Sequence, residues 1–193
     1  PMEQQIPLDR KFFARDTIVV ARELLGKKLV RRLNGHTLSG IIVETEAYCG
    51  RFDSACHAHR GQTKRNAVMF GPPGHAYVYF TYGMHYLLNL VTEPEGAPCA
   101  VLIRAVQAQE GVRIMENRRK KTGPQLTDGP AKLCQALAID LKLNGWDVTT
   151  ARKLWVEDAP SARPGQILAT PRIGIAYAQP QDRDAPWRFL LTP

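Results

Sequence analysis

Several patterns that mark common enzyme classes are missing from this chain of 193 residues. No G-x-G-x-x-G follows a predicted strand and no Walker sequence occurs, so nucleotide-cofactor chemistry has little support. The H-x-E and P-C-x-x-C signatures of zinc deaminases are missing as well, which argues against base deamination. No run of about 20 apolar residues occurs, so the sequence predicts no membrane-spanning helix.

Cysteine is scarce, and its four positions are far apart. None of them forms a Cys-x-x-Cys pair and no apolar signal segment opens the chain, so we expect a reduced, cytoplasmic setting. The segment "CHAH" offers Cys56, His57 and His59 as zinc ligands, but no second half of a zinc site is evident. We therefore expect neither a metal nor another cofactor, and a zinc site stays open as the alternative.

Positive charge is abundant, with 26 Lys and Arg against 18 Asp and Glu and a formal net charge of +8. Such a charge favours an anionic partner: nucleic acid first, then acidic lipid or a phosphorylated metabolite. Candidates for phosphate contacts are Arg60, Lys64 and Arg65 in a basic loop and Lys132 at the start of a predicted helix. The run Arg118–Lys121 is a further candidate, with a solvated charged surface as its alternative.

The apolar pattern predicts one continuous domain over residues 1–193, with Met2 as the expected native start after Pro1. Its predicted fold class is α+β, with a mostly antiparallel sheet and helices at the periphery, because the predicted strands and helices do not alternate as βαβ units. Three helices are predicted: Asp16–Gly26, Gln109–Lys121 and one starting at Asp128 or Gly129. Hairpins are predicted to turn at Asn34–Gly35 and near Gly83. The other predicted strands are Cys99–Gln107, Lys153–Glu157, Pro171–Ala178 and Trp187–Leu191, and the predicted loops are Arg51–Gly74 and Gln179–Pro186.

The stretch "SGIIVETEAYCG" (39–50) begins as a buried strand and then carries two carboxylates and a tyrosine at alternate positions. Since side chains alternate faces along a strand, we expect Ile42, Glu44, Glu46 and Tyr48 on one face. Val43, Thr45 and Ala47 are then expected on the other face. Charged residues in a strand often face solvent, so this segment alone does not decide between a solvated face and a site.

Four tyrosines follow within ten positions: Tyr77, Tyr79, Tyr82 and Tyr86. Tyrosine favours half-buried strand faces, which is one explanation. Tyr82, however, directly precedes Gly83 at the predicted hairpin tip, where an aromatic ring has little core to pack against. On a basic protein a tip aromatic can act as a wedge in a base stack, and inner aromatics can stack on a base.

Taken together, four segments closely resemble the alkyladenine (methylpurine or 3-methyladenine) DNA glycosylase family, from about Phe12 to Leu191. They are "GIIVETEAYCG", the pattern H-x-x-x-x-x-T-x-R-N over His57–Asn66, "MFGPPGHAYVYFTYGMHYLLN" and "GPAKLCQALAI". The resemblance implies a single mixed α/β domain with a mostly antiparallel, curved sheet. It also implies a protruding hairpin that enters the minor groove of DNA.

The resemblance also implies roles for individual residues. Glu46 matches the general base that activates a water, and Arg104 matches the arginine that helps position that water. Tyr48, His57 and Tyr79 match the walls around the flipped base. Tyr82 matches the intercalating residue, and Asn89 matches the asparagine that disfavours the 2-amino group of normal guanine.

The implied activity is base excision from double-stranded DNA. Damaged purines (3-methyladenine, 7-methylguanine, hypoxanthine and ethenoadenine) would be flipped out and hydrolysed to leave an abasic site, without a strand-cleaving lyase step. We expect a bacterial-type monomer at the nucleoid, with no membrane contact. Two alternatives stay open: a bifunctional glycosylase/lyase that uses Pro1, and a nucleic-acid-binding module without catalysis.

Overall fold

The computed structural model describes residues 6–159 and 166–192. Within these residues eight strands form one sheet, and all of the strand pairings are antiparallel. The main strand order is β3-β4-β5-β2-β1-β6, and β8 pairs with both β2 and β7. The strands are β1 Lys28–Leu33, β2 His36–Tyr48, β3 Ala76–Thr81, β4 His85–Thr92, β5 Cys99–Glu110, β6 Leu154–Glu157, β7 Ile167–Thr170 and β8 Arg188–Leu191. The mixed fold with a mostly antiparallel sheet is thereby confirmed.

Five α-helices lie around this sheet in the described residues: α1 Arg10–Phe13, α2 Thr17–Glu23, α3 Val112–Arg119, α4 Pro130–Ala136 and α5 Pro180–Arg183. The predicted start of α2 is confirmed, because the Asp16 carboxylate accepts hydrogen bonds from the backbone N–H groups of Ile18 and Val19. The turn between β1 and β2 is confirmed as well. Asn34 and Gly35 both have positive φ (51° and 77°), as a two-residue hairpin turn of type I′ requires. None of the helices described here is long and apolar enough to cross a bilayer.

The two faces of the sheet bury different clusters. One face packs against α2 and α4 and forms the main core, which includes Val20, Leu133, Leu90 and Ile103. A smaller cluster joins Tyr77 and Ala100 of the sheet to Cys56, Ala58 and Met69 from the connection between β2 and β3. Tyr48 and Tyr79 are partly buried against this second cluster. The long connection is therefore held on the sheet face opposite the main core.

A double irregularity in β2 corrects the predicted division of its faces. Ile42 pairs with Val106, Glu44 with Ala105 and Thr45 with Ile103, so Val43 on β2 and Arg104 on β5 are extra residues of successive bulges. The bulges reverse the alternation, and Ile42 lies in the main core together with Ala47. The prediction that Ile42 shares a face with Glu46 and Tyr48 is therefore wrong.

The C-terminal third differs from the sequence prediction at two places. The strand predicted at Pro171–Ala178 is wrong: the strand is β7, which ends at Thr170, and an irregular segment follows. Pro171 has no N–H for a strand ladder, and Gly174 has φ of 76°, so an extended strand does not continue. The loop predicted at Gln179–Pro186 contains the short helix α5, which starts with Pro180, a favoured first helical residue.

The remaining boundaries follow from local chemistry. β5 runs to Glu110 and Gly111 (φ 70°) separates it from α3, so the helix predicted from Gln109 begins later, at Val112. Helix α1 was not predicted, although the Asp9 carboxylate accepts a hydrogen bond from Phe12 N–H as an N-cap. The hairpin near Gly83, the strand from Cys99 and the helix after Gly129 are confirmed.

Candidate active site

A cavity of about 370 Å³ opens between the β3–β4 hairpin, the end of β2, the start of α4 and the 173–177 segment. Its volume lies in the range of small-molecule pockets. It brings together six of the residues predicted for the site: Tyr48, His57, Tyr79, Tyr82, Asn89 and Arg104. Ile173, Gly174, Ile175 and Tyr177 line it from a segment that was predicted to be a strand.

Glu46 lies directly behind this lining and is fully buried. One carboxylate oxygen, Oε1, accepts hydrogen bonds from the Tyr48 hydroxyl at 2.9 Å and from Arg104 Nη1 at 3.4 Å. The other, Oε2, accepts the backbone N–H of Ile173 at 2.7 Å. A buried charge needs such donors, and all three come from residues that line the cavity.

Glu44 has a different environment. Its Oε1 accepts hydrogen bonds from Arg104 Nε at 2.9 Å and from Arg188 Nε at 2.7 Å. Arg104 therefore bridges Glu44 and Glu46, and its side chain is re-aimed by the bulge in β5. Two arginines thus hold Glu44 in place.

The aromatic wall is a contiguous cluster of rings. The ring centroids of His57 and Tyr79 lie 4.5 Å apart in an edge-on arrangement, and those of Tyr77 and Tyr79 lie 5.4 Å apart. A 3.0 Å hydrogen bond joins His57 Nδ1 to the Tyr77 hydroxyl. Burial and then the Arg65 charge lower the pKa of His57, so the imidazole favours its neutral form. Burial raises the pKa of Tyr77 to about 12 and also raises the pKa of Tyr48 and Tyr79, so all three phenols stay protonated at neutral pH.

The hairpin tip and strand β4 present two further predicted residues. Tyr82 has φ of 53° and is 86% exposed, and Met84 beside it is 69% exposed. Asn89 is buried in β4, where its Nδ2 donates to the Tyr77 carbonyl at 3.2 Å, and it lines the cavity. The Tyr82 ring is thus largely exposed to solvent although Tyr82 also lines the cavity, and the base of the hairpin contributes Tyr79 and Asn89 to the same lining.

Comparison with known proteins assigns this chain to a family. The family model for methylpurine-DNA glycosylase (MPG) matches residues 11–193, which is nearly the whole chain. The chain belongs to the methylpurine-DNA glycosylase family. Enzymes of this class are also called 3-methyladenine DNA glycosylases, and they are hydrolases of base-excision DNA repair. The enzyme therefore acts on DNA.

Individual relatives agree with this assignment over similar lengths. A protein of Carboxydothermus hydrogenoformans is 54% identical over 185 residues, covering 95% of this chain and 94% of the relative. A protein of Methanocella arvoryzae is 53% identical over 184 residues, covering 94% and 90%. A protein of Chlamydia pneumoniae is 48% identical over 186 residues, covering 94% and 93%. Each of the three carries the provisional name 3-methyladenine DNA glycosylase.

The residues predicted to contact phosphates have unequal surroundings in this glycosylase. Arg60 and Lys64 are exposed on the loop that carries His57. Arg65 lies over the Tyr79 ring, with its Cζ atom 5.1 Å from the ring centroid, and donates to the Phe80 carbonyl. Lys132 pairs at 2.7 Å with Asp128, which lies just before helix α4. Arg65 is therefore held against the cavity wall, whereas Arg60 and Lys64 have side chains open to solvent.

The basic run Arg118–Lys121 and the possible zinc ligands of the "CHAH" segment can be compared with the structure as well. Arg118 donates to the Ala136 carbonyl, and Arg119 donates to the carbonyls of Leu126 and Gln125, so both tie α3 to the α4 region. In the "CHAH" segment, His59 Nδ1 lies 2.7 Å from the Arg51 carbonyl and His57 is bonded to Tyr77. Within the described residues, no group of three or more potential ligands is arranged for a metal ion.

Sequence reasoning missed an arginine behind the cavity. Arg172 forms an ion pair with Asp53 through two hydrogen bonds of 2.6 and 2.9 Å, and both side chains are buried. Its Cζ atom lies 4.8 Å from the centroid of the Tyr48 ring. No local signal could identify this pair, because its members are 119 positions apart in the sequence.

Proposed function

We propose that the enzyme flips damaged purines out of duplex DNA into the cavity and hydrolyses the N-glycosidic bond, with Glu46 as the general base. The observation that carries this proposal is a buried carboxylate bonded to three residues of a ring-lined cavity. A base in a duplex cannot be reached by such a carboxylate, so extrusion must precede the chemistry. The product would be an abasic site.

The water molecule that attacks the sugar carbon is best placed beside Arg104. Of the three hydrogen bonds to Glu46, the one from Arg104 Nη1 is the longest, at 3.4 Å. A water there can accept a hydrogen bond from the guanidinium and donate its proton to Glu46 as it attacks the sugar carbon. General-base catalysis of this kind contributes about 10²–10⁴ in rate. The Glu46 charge would also favour the positive charge that develops on the sugar.

The rings of Tyr48, Tyr79 and His57 would hold the flipped base. Stacking on aromatic side chains is worth ~1–3 kcal/mol per base in single-strand binding proteins. Tyr82, exposed at the hairpin tip, would fill the gap left in the duplex and offset part of the extrusion cost. Asn89, a buried residue of the cavity lining, would oppose the exocyclic 2-amino group of normal guanine.

Leaving-group chemistry gives the expected substrates. 3-Methyladenine and 7-methylguanine carry a positive charge and depart easily as neutral bases. Hypoxanthine and ethenoadenine are neutral, so their removal depends more on the site. We propose both groups as substrates, the cationic purines being the more readily removed.

We further propose that the reaction stops at the abasic site. A lyase step needs an amine nucleophile, and in the part of the chain that is described the cavity is lined by phenols, imidazoles, an amide and a guanidinium, with no lysine. Pro1, the amine considered in the alternative, lies outside the described residues.

The test is a single-turnover excision assay on duplexes that each contain one of the four lesions. We expect release of the free base and an intact strand that breaks only on alkali treatment. Strand cleavage without alkali, together with a covalent adduct trapped by borohydride, would favour the bifunctional alternative. Tight binding of undamaged single strands without any base release would favour the non-catalytic module.

A further inference from the structure

The ion pair between Arg172 and Asp53 lies behind the Tyr48 ring, where Arg172 packs against it. Arg172 has no exposed side-chain surface, and its Cζ atom lies between two rings, 4.8 Å from the centroid of Tyr48 and 5.0 Å from that of Trp187. Tyr48 lines the cavity, whereas Arg172 does not. The guanidinium therefore faces the side of Tyr48 that is turned away from the cavity.

The same arginine ties three segments together. Arg172 Nη1 donates to the Ala47 carbonyl and Nη2 to the Asp182 carbonyl, each at 3.0 Å. The next residue, Ile173, gives its N–H to Glu46. Asp53 accepts two further backbone N–H groups, from Cys49 and Ala55. A positioning role for Arg172 toward Tyr48 and Glu46 follows from these bonds, but they do not explain why the arrangement contains an ion pair.

The balance of charge behind Tyr48 explains why the arrangement contains an ion pair. A base stacked on the open side of Tyr48 would lie about 3.5 Å beyond that ring, hence ~8 Å from the guanidinium. At an effective dielectric constant of about 20, an uncompensated positive charge at that distance would weaken binding of a cationic base roughly tenfold to thirtyfold. It would leave a neutral base almost unaffected. Asp53, bonded to both terminal nitrogens of Arg172, cancels that charge.

We propose that Asp53 is a specificity-determining residue, which keeps the back of the Tyr48 ring electrically neutral so that cationic alkylated purines can occupy the cavity. The carboxylate acts through Arg172 and touches no substrate atom. This inference rests on the proposed function, because it assumes that Tyr48 stacks on the flipped base.

The experiment compares kcat/KM for a 7-methylguanine duplex with kcat/KM for a hypoxanthine duplex of the same flanking sequence. The quantity of interest is the ratio of the two values within one preparation, in which the fraction of folded enzyme cancels. Asp53→Asn leaves the guanidinium uncompensated, so the ratio should fall about tenfold. Arg172→Met removes the positive charge, so the ratio should stay at the parent value or rise, even though both rates drop.

A matched control is Asp147→Asn, which breaks the ion pair of Asp147 with Arg10 outside the cavity lining and should leave the ratio unchanged. An unchanged ratio in Asp53→Asn overturns the inference, as does a fall in Arg172→Met equal to that in Asp53→Asn. Should Asp53→Asn not fold, Arg172→Met decides alone, since any fall contradicts the proposal. Failure of the parent enzyme to excise either lesion would count against the proposed function itself.

Discussion

At the level of single residues, Glu44 and Glu46 lie two positions apart on one strand yet have different partners. Glu44 is neutralised by two arginines, Arg104 and Arg188. Glu46 is bonded to the Tyr48 hydroxyl and the Ile173 N–H, with only one long contact to an arginine. Glu46 is therefore the better candidate for a proton acceptor, and Glu44 for a residue that orients Arg104.

The first prediction separates the two carboxylates. Glu46→Gln should bind a lesion duplex within a few-fold of the parent but lose about 10²-fold or more in excision rate, because an amide cannot accept the proton of water. Glu44→Gln should lose far less. Single-turnover rates and dissociation constants on one lesion duplex measure both effects. Near-normal excision by Glu46→Gln, or an equal loss in the two variants, would show that the assignment is wrong.

The second prediction concerns the protonation of His57. Burial and the Arg65 charge lower its pKa, so NMR titration should place it below the ordinary value of 6.5. Arg65→Gln should raise the pKa of His57, whereas Arg60→Gln should change it little, because the Arg65 charge and not that of Arg60 lowers this pKa. Folding stability should decline as pH falls through about 6.5, because the unfolded chain takes up this proton first. His57→Gln should remove that part of the decline, and a His57 pKa at or above 6.5 contradicts the prediction.

At the level of the element, the β3–β4 hairpin combines two different positions for tyrosine. Tyr82 occupies a left-handed conformation at the exposed tip. Tyr79, three residues earlier, contacts the His57 ring and lies against the guanidinium of Arg65. One ring can therefore act on the duplex and the other on a base that has already left it.

The third prediction uses this difference. Tyr82→Ser should reduce excision more for a paired lesion than for the same lesion opposite a mismatch, because extrusion costs less from a mismatch. Tyr79→Ser should reduce excision about equally in both contexts. Tyr82→Phe keeps the wedge and is the matched control, expected to behave like the parent. The measurement is the variant-to-parent ratio of excision rates in each context, and the same context dependence for both serine variants would refute the division of roles.

At the level of the whole molecule, the net charge of +8 predicts a strong salt dependence of DNA binding. Each phosphate that is neutralised contributes a slope of about −0.9 to log K against log salt, so a handful of contacts gives roughly −3 or steeper. Replacing Lys64 with Ser should make the slope shallower by about 0.9. Lys153, which lies over the Trp146 ring, serves as the control and should leave the slope unchanged when replaced. A flat dependence in the parent enzyme would argue against phosphate contacts as the source of affinity.

The sequence by itself determined the parts of this enzyme that depend on local chemistry. Asp16 caps a helix, Asn34–Gly35 forms a tight turn, and Gly83 sits in the turn of the second hairpin. The same kind of information placed Tyr82 at an exposed tip, because a residue before a turn glycine has few neighbours. The motifs around Glu46, Tyr79 and Asn89 also sufficed to indicate the family.

Only the tertiary structure decided which side chains meet. The bulges at Val43 and Arg104 arise from the pairing of two strands, and they reverse the face on which Ile42 lies. The segment after β7 becomes a wall of the cavity, because Pro171 and Gly174 prevent it from continuing as a strand. The N–H of Ile173 in this segment bonds to Glu46 and not to a neighbouring strand. The Arg172–Asp53 pair joins positions 119 residues apart. Contacts of this kind depend on how the chain closes on itself, and neither periodicity nor residue spacing records them.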